Sequence, residues 1–97
     1  MSEASYVLAF DVGTTGAKTC VYRVGERIEA LAWAHSDYPI RFSPEGGAEQ
    51  DPEDWWRALG LGSRRALASA GLEAREVSGM AFCCQMQGLV LVDAEGR

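Results

Sequence analysis

The stretch that most limits what this chain can become lies near its start. "YVLAF" (6–10) is a continuous apolar run rich in strand formers, which reads as a strand buried on both faces. It runs directly into "DVGTTGAK" (11–18), where glycines, threonines, one aspartate and one lysine share a single reversal of the chain. "KTCVYRV" (18–24) is again rich in β-branched and aromatic residues. "GE" (25–26) supplies a second reversal, and "RIEALAWAH" (27–35) alternates, with Ile28, Ala30, Ala32 and Ala34 on one side. Three strands joined by two tight turns make a meander.

Residues 36–50, "SDYPIRFSPEGGAEQ", have no period and carry Pro39, Pro44, Gly46 and Gly47; they read as a loop long enough to carry function. A helix follows. Asp51 suits the N-cap, Pro52 the first turn, and Glu53 and Asp54 the positive end of the helix dipole. Gly71 is placed to stop it. Trp56, Leu59, Ser63, Ala66, Leu67 and Ala70 fall near one stripe. Gly60 and Gly62 each cost about 1 kcal/mol against alanine, so the helix needs tertiary packing. "EVSGMAFCCQ" (76–85) reads as a buried strand and "GLVLVDAEGR" (88–97) as a strand ending in a turn. The order is β-β-β-α-β-β, an α/β pattern without repeat or linker. It closes on a turn signal where a further strand is expected, so residues 1–97 read as part of a domain.

Composition excludes several classes. The 97 residues allow one domain at most, and 47% hydrophobic content argues against disorder. A net charge of −5 argues against a sequence-independent grip on nucleic acid. No apolar run approaches the ~20 residues that span a membrane, and "MSEASY" lacks the regions of a signal peptide. Cytoplasm is the expected compartment. Cys20, Cys83 and Cys84 show no metal-ligand spacing, and the adjacent pair sits in an apolar run as core filling.

The chemistry is concentrated in the first turn. Anion binding needs converging backbone N–H groups, and Gly13 and Gly16 permit both unusual dihedrals and close approach. Thr14 and Thr15 add hydroxyl donors, and Lys18 adds a positive charge that reaches terminal phosphates. Asp11, at the carboxyl end of the strand, is placed to hold Mg²⁺ through water. A Walker loop is excluded by spacing, and the dinucleotide fingerprint G-x-G-x-x-G is absent. On the residues alone, a plain hairpin turn with an aspartate accounts for the stretch equally well.

"LAFDVGTTGAK" resembles the first phosphate motif of the actin/hexokinase/Hsp70 ATPase superfamily. With "GGAEQDPEDWW" (46–56) and "GMAFCCQMQG" (79–88), in that order, the chain resembles the N-terminus of the FGGY carbohydrate kinases, the xylulokinase-like branch especially. The resemblance covers nearly the whole chain. It implies an RNase H-like fold with two domains and ATP in the cleft between them, of which residues 1–97 would be the N-terminal portion of the first. The implied reaction is Mg-ATP-dependent phosphorylation of a sugar or polyol hydroxyl. By that likeness Asp11 matches the magnesium-side aspartate, and Gly13, Thr14, Thr15 and Lys18 the ATP-phosphate positions. Met86 and Gln87 match the substrate-touching pair, with Gln85 supporting them. Glu49 and Gln50 fall near the family's sugar site, or merely shape the loop. Without the likeness, Gln85 and Gln87 read as ordinary strand-end polar residues and Met86 as core. Trp55 and Trp56 read as packing residues, and His35 is assigned no chemistry.

Two departures fall on the substrate side. Gln87 stands where xylulokinases usually have histidine, and "GGA" precedes "EQDP" where they usually have an aromatic residue. Xylulose, another ketose or a polyol therefore all fit. The catalytic base and the adenosine pocket lie far downstream in the family, so this chain alone is expected to be inactive. Asp11 is not a substitute, because an aspartate committed to a metal is a poor proton acceptor. The partners implied are ATP and a small sugar or polyol, with a homodimer allowed for the full-length enzyme and no nucleic acid or membrane. The alternative is a non-catalytic, actin-like nucleotide-binding or assembly module, for which "EQDPEDWW" and "QMQG" have no use.

Overall fold

The computed structural model describes residues 4–86 and 88–97. The opening meander is present. Strand β1 (Ser5–Val12) pairs antiparallel with β2 (Gly16–Val24), and β2 with β3 (Ile28–Asp37). All three run longer than the apolar patterns suggest, which leaves only residues 13–15 to make the first reversal. Helix α1 (Pro52–Ala70) and a short 3₁₀ turn (Ala74–Glu76) lead to β6 (Val77–Cys84), which joins β1 in parallel. The sheet order is β3-β2-β1-β6. Within the expected loop, β4 (Arg41–Phe42) and β5 (Ala48–Glu49) form a small hairpin of their own.

Alternation along the strands decides what is buried. Leu8, Phe10 and Val12 of β1 lie in register with Val21, Thr19 and Ala17 of β2, and all six are buried beneath α1. The opposite face of β1 is not covered by any described element: Val7 and Ala9 are half-buried and Asp11 is exposed. The expectation of a strand buried on both faces is thus corrected. One helix crosses the sheet, so only one face loses its water.

The helix begins and ends as its sequence dictates. The Asp51 side chain accepts from the Glu53 amide at 2.9 Å, and Gly71 takes the left-handed conformation (φ 72°) that few other residues adopt cheaply. Its buried stripe differs from the expected one. Ala58, Gly62 and Ala66 recur every fourth residue and meet the sheet together with Leu67. A Cβ on Gly62 would lie 2.4 Å from Thr19 Oγ1, so this glycine lets the helix axis approach the strands. Trp56, expected to pack, is 74% exposed. Trp55 takes the inward place, against the buried cluster of Val12, Ala17, Tyr38 and Ala58.

The last strand of the expected order is absent. Residues 88–92 carry no regular secondary structure, and Leu89 is 82% exposed. A strand needs a ladder partner, and no described segment runs beside this one. The turn that follows does form: the Asp93 side chain accepts from the Glu95 and Arg97 amides at 3.0 and 2.9 Å. Strand β6 is itself poorly covered: Val77 at its start packs against the core that α1 helps to form, and most of the residues after it are exposed. Phe82 stacks on Phe10 at 5.0 Å yet remains 56% exposed, and Cys83 and Cys84, expected in the core, are exposed.

Candidate functional site: a tethered turn beside a cleft

Residues 13–15 are held by their carbonyl groups. The Gly13 amide closes the hairpin on the Gly16 carbonyl at 2.9 Å. The Val12 carbonyl accepts from the Gln85 amide at 2.8 Å, and that of Thr15 from the Tyr38 amide at 3.2 Å. The Tyr38 hydroxyl shares its one proton between the Gly13 carbonyl and, at 3.0 Å, that of Gly16. The Gln50 carboxamide donates to the Thr14 carbonyl. Every carbonyl from 12 to 16 therefore has a partner within the protein.

This has a geometric consequence. In a planar trans peptide the N–H points opposite the C=O. Tying the Gly13 and Thr14 carbonyls inward turns the Thr14 and Thr15 amides outward. Both threonines are exposed, and neither amide has an acceptor among the described residues. Adjacent outward amides with two hydroxyls make a concentrated donor surface for an anion.

The glycines serve this arrangement by size alone. Neither Gly13 nor Gly16 is among the glycines with positive φ, so the expectation of unusual dihedrals is corrected. A Cβ on Gly16 would lie 2.7 Å from the Ser36 carbonyl oxygen and 2.9 Å from His35 Cε1. The lack of a side chain at Gly16 is what lets β3 close on the turn.

Asp11 and Lys18 are register partners across β1 and β2, so their side chains share the open sheet face just below the turn, and both are exposed. His35 is the next residue across, opposite Lys18, with Nδ1 3.3 Å from Asp37 Oδ1. A carboxylate, an ammonium group and a donor-rich turn thus occupy one end of the sheet. Among the described residues no three metal-ligating side chains cluster. Asp11 offers one exposed carboxylate, and magnesium takes one or two carboxylates, keeps waters and shares phosphate oxygens. The donor set fits a magnesium-bound polyphosphate.

Tyr38 is the strut of the site. Burial, followed by the negative charge of Asp11, raises its phenol above the ordinary tyrosine value. The hydroxyl stays protonated and remains a donor throughout the neutral range.

Beside the turn lies a cleft of about 500 Å³. Thr14, Glu49, Gln50, Trp55 and Gln85 line it together with residues 88–91. Its polar wall is internally bonded. Gln85 Nε2 donates to Gln50 Oε1 at 3.0 Å and to the Gly13 carbonyl at 3.5 Å, and Trp55 Nε1 donates to Gln50 Oε1 at 3.2 Å. Of the residues expected to touch substrate, Met86 is 87% exposed and does not line the cleft. Gln87 lies outside the described residues. Sequence reasoning missed Tyr38, whose partners are 22 and 25 residues away. It left Gln50 between two readings, and the structure joins them: Gln50 lines the cleft and also ties down the turn.

Residues 6–97 match the N-terminal domain of the FGGY family of carbohydrate kinases. Glycerol kinases recur most often among the similar curated proteins; that of Bradyrhizobium diazoefficiens is 34% identical over 89 residues, which is 92% of this chain and 17% of the relative. A xylulose kinase of Bacillus subtilis is 30% identical over 90 residues, 93% of this chain and 18% of the relative. Among solved structures, a xyloylose kinase from Brucella ovis superposes with a TM-score of 0.78 at 29% identity, covering 93% of this chain and 18% of that one. A gluconate kinase from Lactobacillus acidophilus gives 0.82 at 22% identity, over 98% of this chain and 18% of that one, and supports the fold alone. The chain spans less than a fifth of the length of the relatives it matches.

Proposed function

The chain belongs to the FGGY family of carbohydrate kinases, and from that premise we propose that it supplies the phosphate grip and one wall of the acceptor cleft for ATP-dependent phosphorylation of a polyol or ketose hydroxyl. The observation that carries the proposal is the tethered turn: its carbonyls are held inward, its Thr14 and Thr15 amides face out, and the cleft adjoins it. Phosphoryl transfer is mostly positioning and stabilisation of charge on the transferring group. A turn whose donors are already aimed does not reorganise when that charge develops.

In this reading Thr14 and Thr15 hold phosphate oxygens through amides and hydroxyls, and Gly13 and Gly16 keep the backbone close enough for them to do so. Lys18 reaches the terminal phosphate. Asp11 is the carboxylate that would hold Mg²⁺, serving as a ligand and not as a base. When bound, the metal neutralises phosphate charge. Glu49, Gln50 and Gln85 present donors and acceptors to acceptor hydroxyls, which polyol recognition requires. Met86 and Gln87 are proposed, on the family likeness alone, to take part in acceptor recognition. The base that removes the hydroxyl proton is proposed to lie outside these residues, in line with the small share of each relative's length that they represent. Residues 1–97 are then the N-terminal portion of the first domain.

Glycerol and xylulose, named in the relatives, are the acceptors to test first. The proposed compartment is the cytoplasm, where ATP is the phosphoryl donor; the three cysteines are free, as a reducing compartment would keep them. No helix among the described residues is long and apolar enough to cross a membrane.

The test is a phosphoryl-transfer assay on the longest natural form of the protein with Mg-ATP and each acceptor. Transfer is expected, with kcat reduced about 100-fold or more in Lys18→Ala and Asp11→Asn, the scale seen when a charge-stabilising group is removed. Transfer to neither acceptor, or an undiminished kcat in both variants, would refute it.

A further inference from the structure

Gln50 is where the cleft and the phosphate turn meet, and its hydrogen bonds leave it one orientation. Its Oε1 accepts from both Trp55 Nε1 and Gln85 Nε2, which fills the oxygen's two lone pairs. A flipped carboxamide would set its NH₂ against two N–H donors, so Nε2 must face the Thr14 carbonyl, to which it donates. That carbonyl belongs to the same peptide unit as the Thr15 N–H. Fixing one fixes the other, because the unit is planar. Gln50 also lines the cleft, together with Glu49, Trp55 and Gln85.

From this we infer that Gln50 is a positioning residue that couples occupancy of the cleft to the grip on phosphate. The inference rests on the functional reading above, in which the turn takes nucleotide phosphate and the cleft takes a polyol. One N–H of the Gln50 amide has no partner among the described residues, and Gln85 Nε2 already divides its donors between Gln50 and the Gly13 carbonyl. A polyol hydroxyl accepting from either amide shifts the Gln50 carboxamide, and with it the Thr14–Thr15 peptide plane that aims an amide at phosphate. Two sites that bias one element are coupled, and the coupling is reciprocal for binding.

The experiment measures the Kd of a non-hydrolysable Mg-ATP analogue on the longest natural form, with and without saturating glycerol or xylulose. The ratio of the two constants is the coupling factor. About a 10-fold factor is expected for the unaltered protein, within the usual range for linked sites. Gln50→Glu keeps the acceptor for Trp55 and Gln85 but turns an oxygen toward the Thr14 carbonyl; its factor should fall to within about 2-fold of unity. Trp55→Phe removes the indole donor along with part of the ring that packs on the buried cluster, and should give an intermediate factor. A merely structural role for Gln50 would weaken both constants alike and leave their ratio unchanged. An unaltered ratio in folded Gln50→Glu overturns the inference, as does a ratio of one in the parent protein. If Gln50→Glu does not fold, an unaltered ratio in Trp55→Phe overturns it. Binding of neither analogue nor polyol by the parent refutes the functional reading itself, and this inference with it.

Discussion

The two ends of β1's neighbourhood are built in contrasting ways. At the turn, residues 12–16 have every carbonyl matched by a partner from β3's end, the 50s or Gln85, and Tyr38 and Ala58 close a small buried cluster beneath. On the flank, β6 and residues 88–92 expose Met80, Phe82, Leu89 and Leu91 with no described element over them. The first region is complete from contacts within about 75 residues of chain. The second presents apolar surface and an unpaired strand edge, which costs solubility unless something covers it. The donor turn draws on the flank through Gln85, the residue that follows β6, and takes its other tethers from Tyr38 and Gln50.

The widest gap between the regions should appear in stability. Leu67 is buried in the cluster that α1 makes with Leu8, Phe10 and Val21, so Leu67→Ala should cost about 2–5 kcal/mol. Phe82 is more than half exposed and keeps chiefly its stacking on Phe10, so Phe82→Ala should cost about 1 kcal/mol. Urea unfolding of the two variants, compared with the parent chain, checks the pair. Equal losses would mean that the flank is part of the same cooperative core.

How much of this was legible before folding follows the range of the interactions. The hairpin, the Asp51 and Gly71 caps and β6 were readable, because alternation, capping and turn chemistry act over a few residues. The phosphate turn was readable as a composition, though not how it is held. Tyr38, Gln50 and Gln85 reach it across 22 to 72 residues, and no local pattern encodes that. Gly62 looked like a defect in the helix until Thr19 was seen beneath it. The exposed side of Trp56 and the missing last strand have a common cause: both readings assumed neighbours, and the described residues supply none.

A smaller effect sharpens the comparison at the turn. Tyr38→Phe keeps the ring and removes the one proton shared between the Gly13 and Gly16 carbonyls, for a loss of about 1–3 kcal/mol. Because the folded state holds the phenol proton more tightly than the unfolded chain, its contribution is fully present below about pH 10. It is lost as pH rises through the higher folded value. Unfolding measured against alkaline pH should show that decline in the parent chain and a shallower one in Tyr38→Phe. Parallel curves would remove Tyr38 from the account as a strut.

The most direct measurement is a crystal structure of the longest natural form with Mg²⁺ and a non-hydrolysable ATP analogue. The terminal phosphate should lie within hydrogen-bonding distance of the Thr14 and Thr15 amides, with Lys18 and the metal-bearing Asp11 beside it. A nucleotide bound with its phosphates away from residues 13–15, and those two amides still facing open solvent, would contradict the central claim.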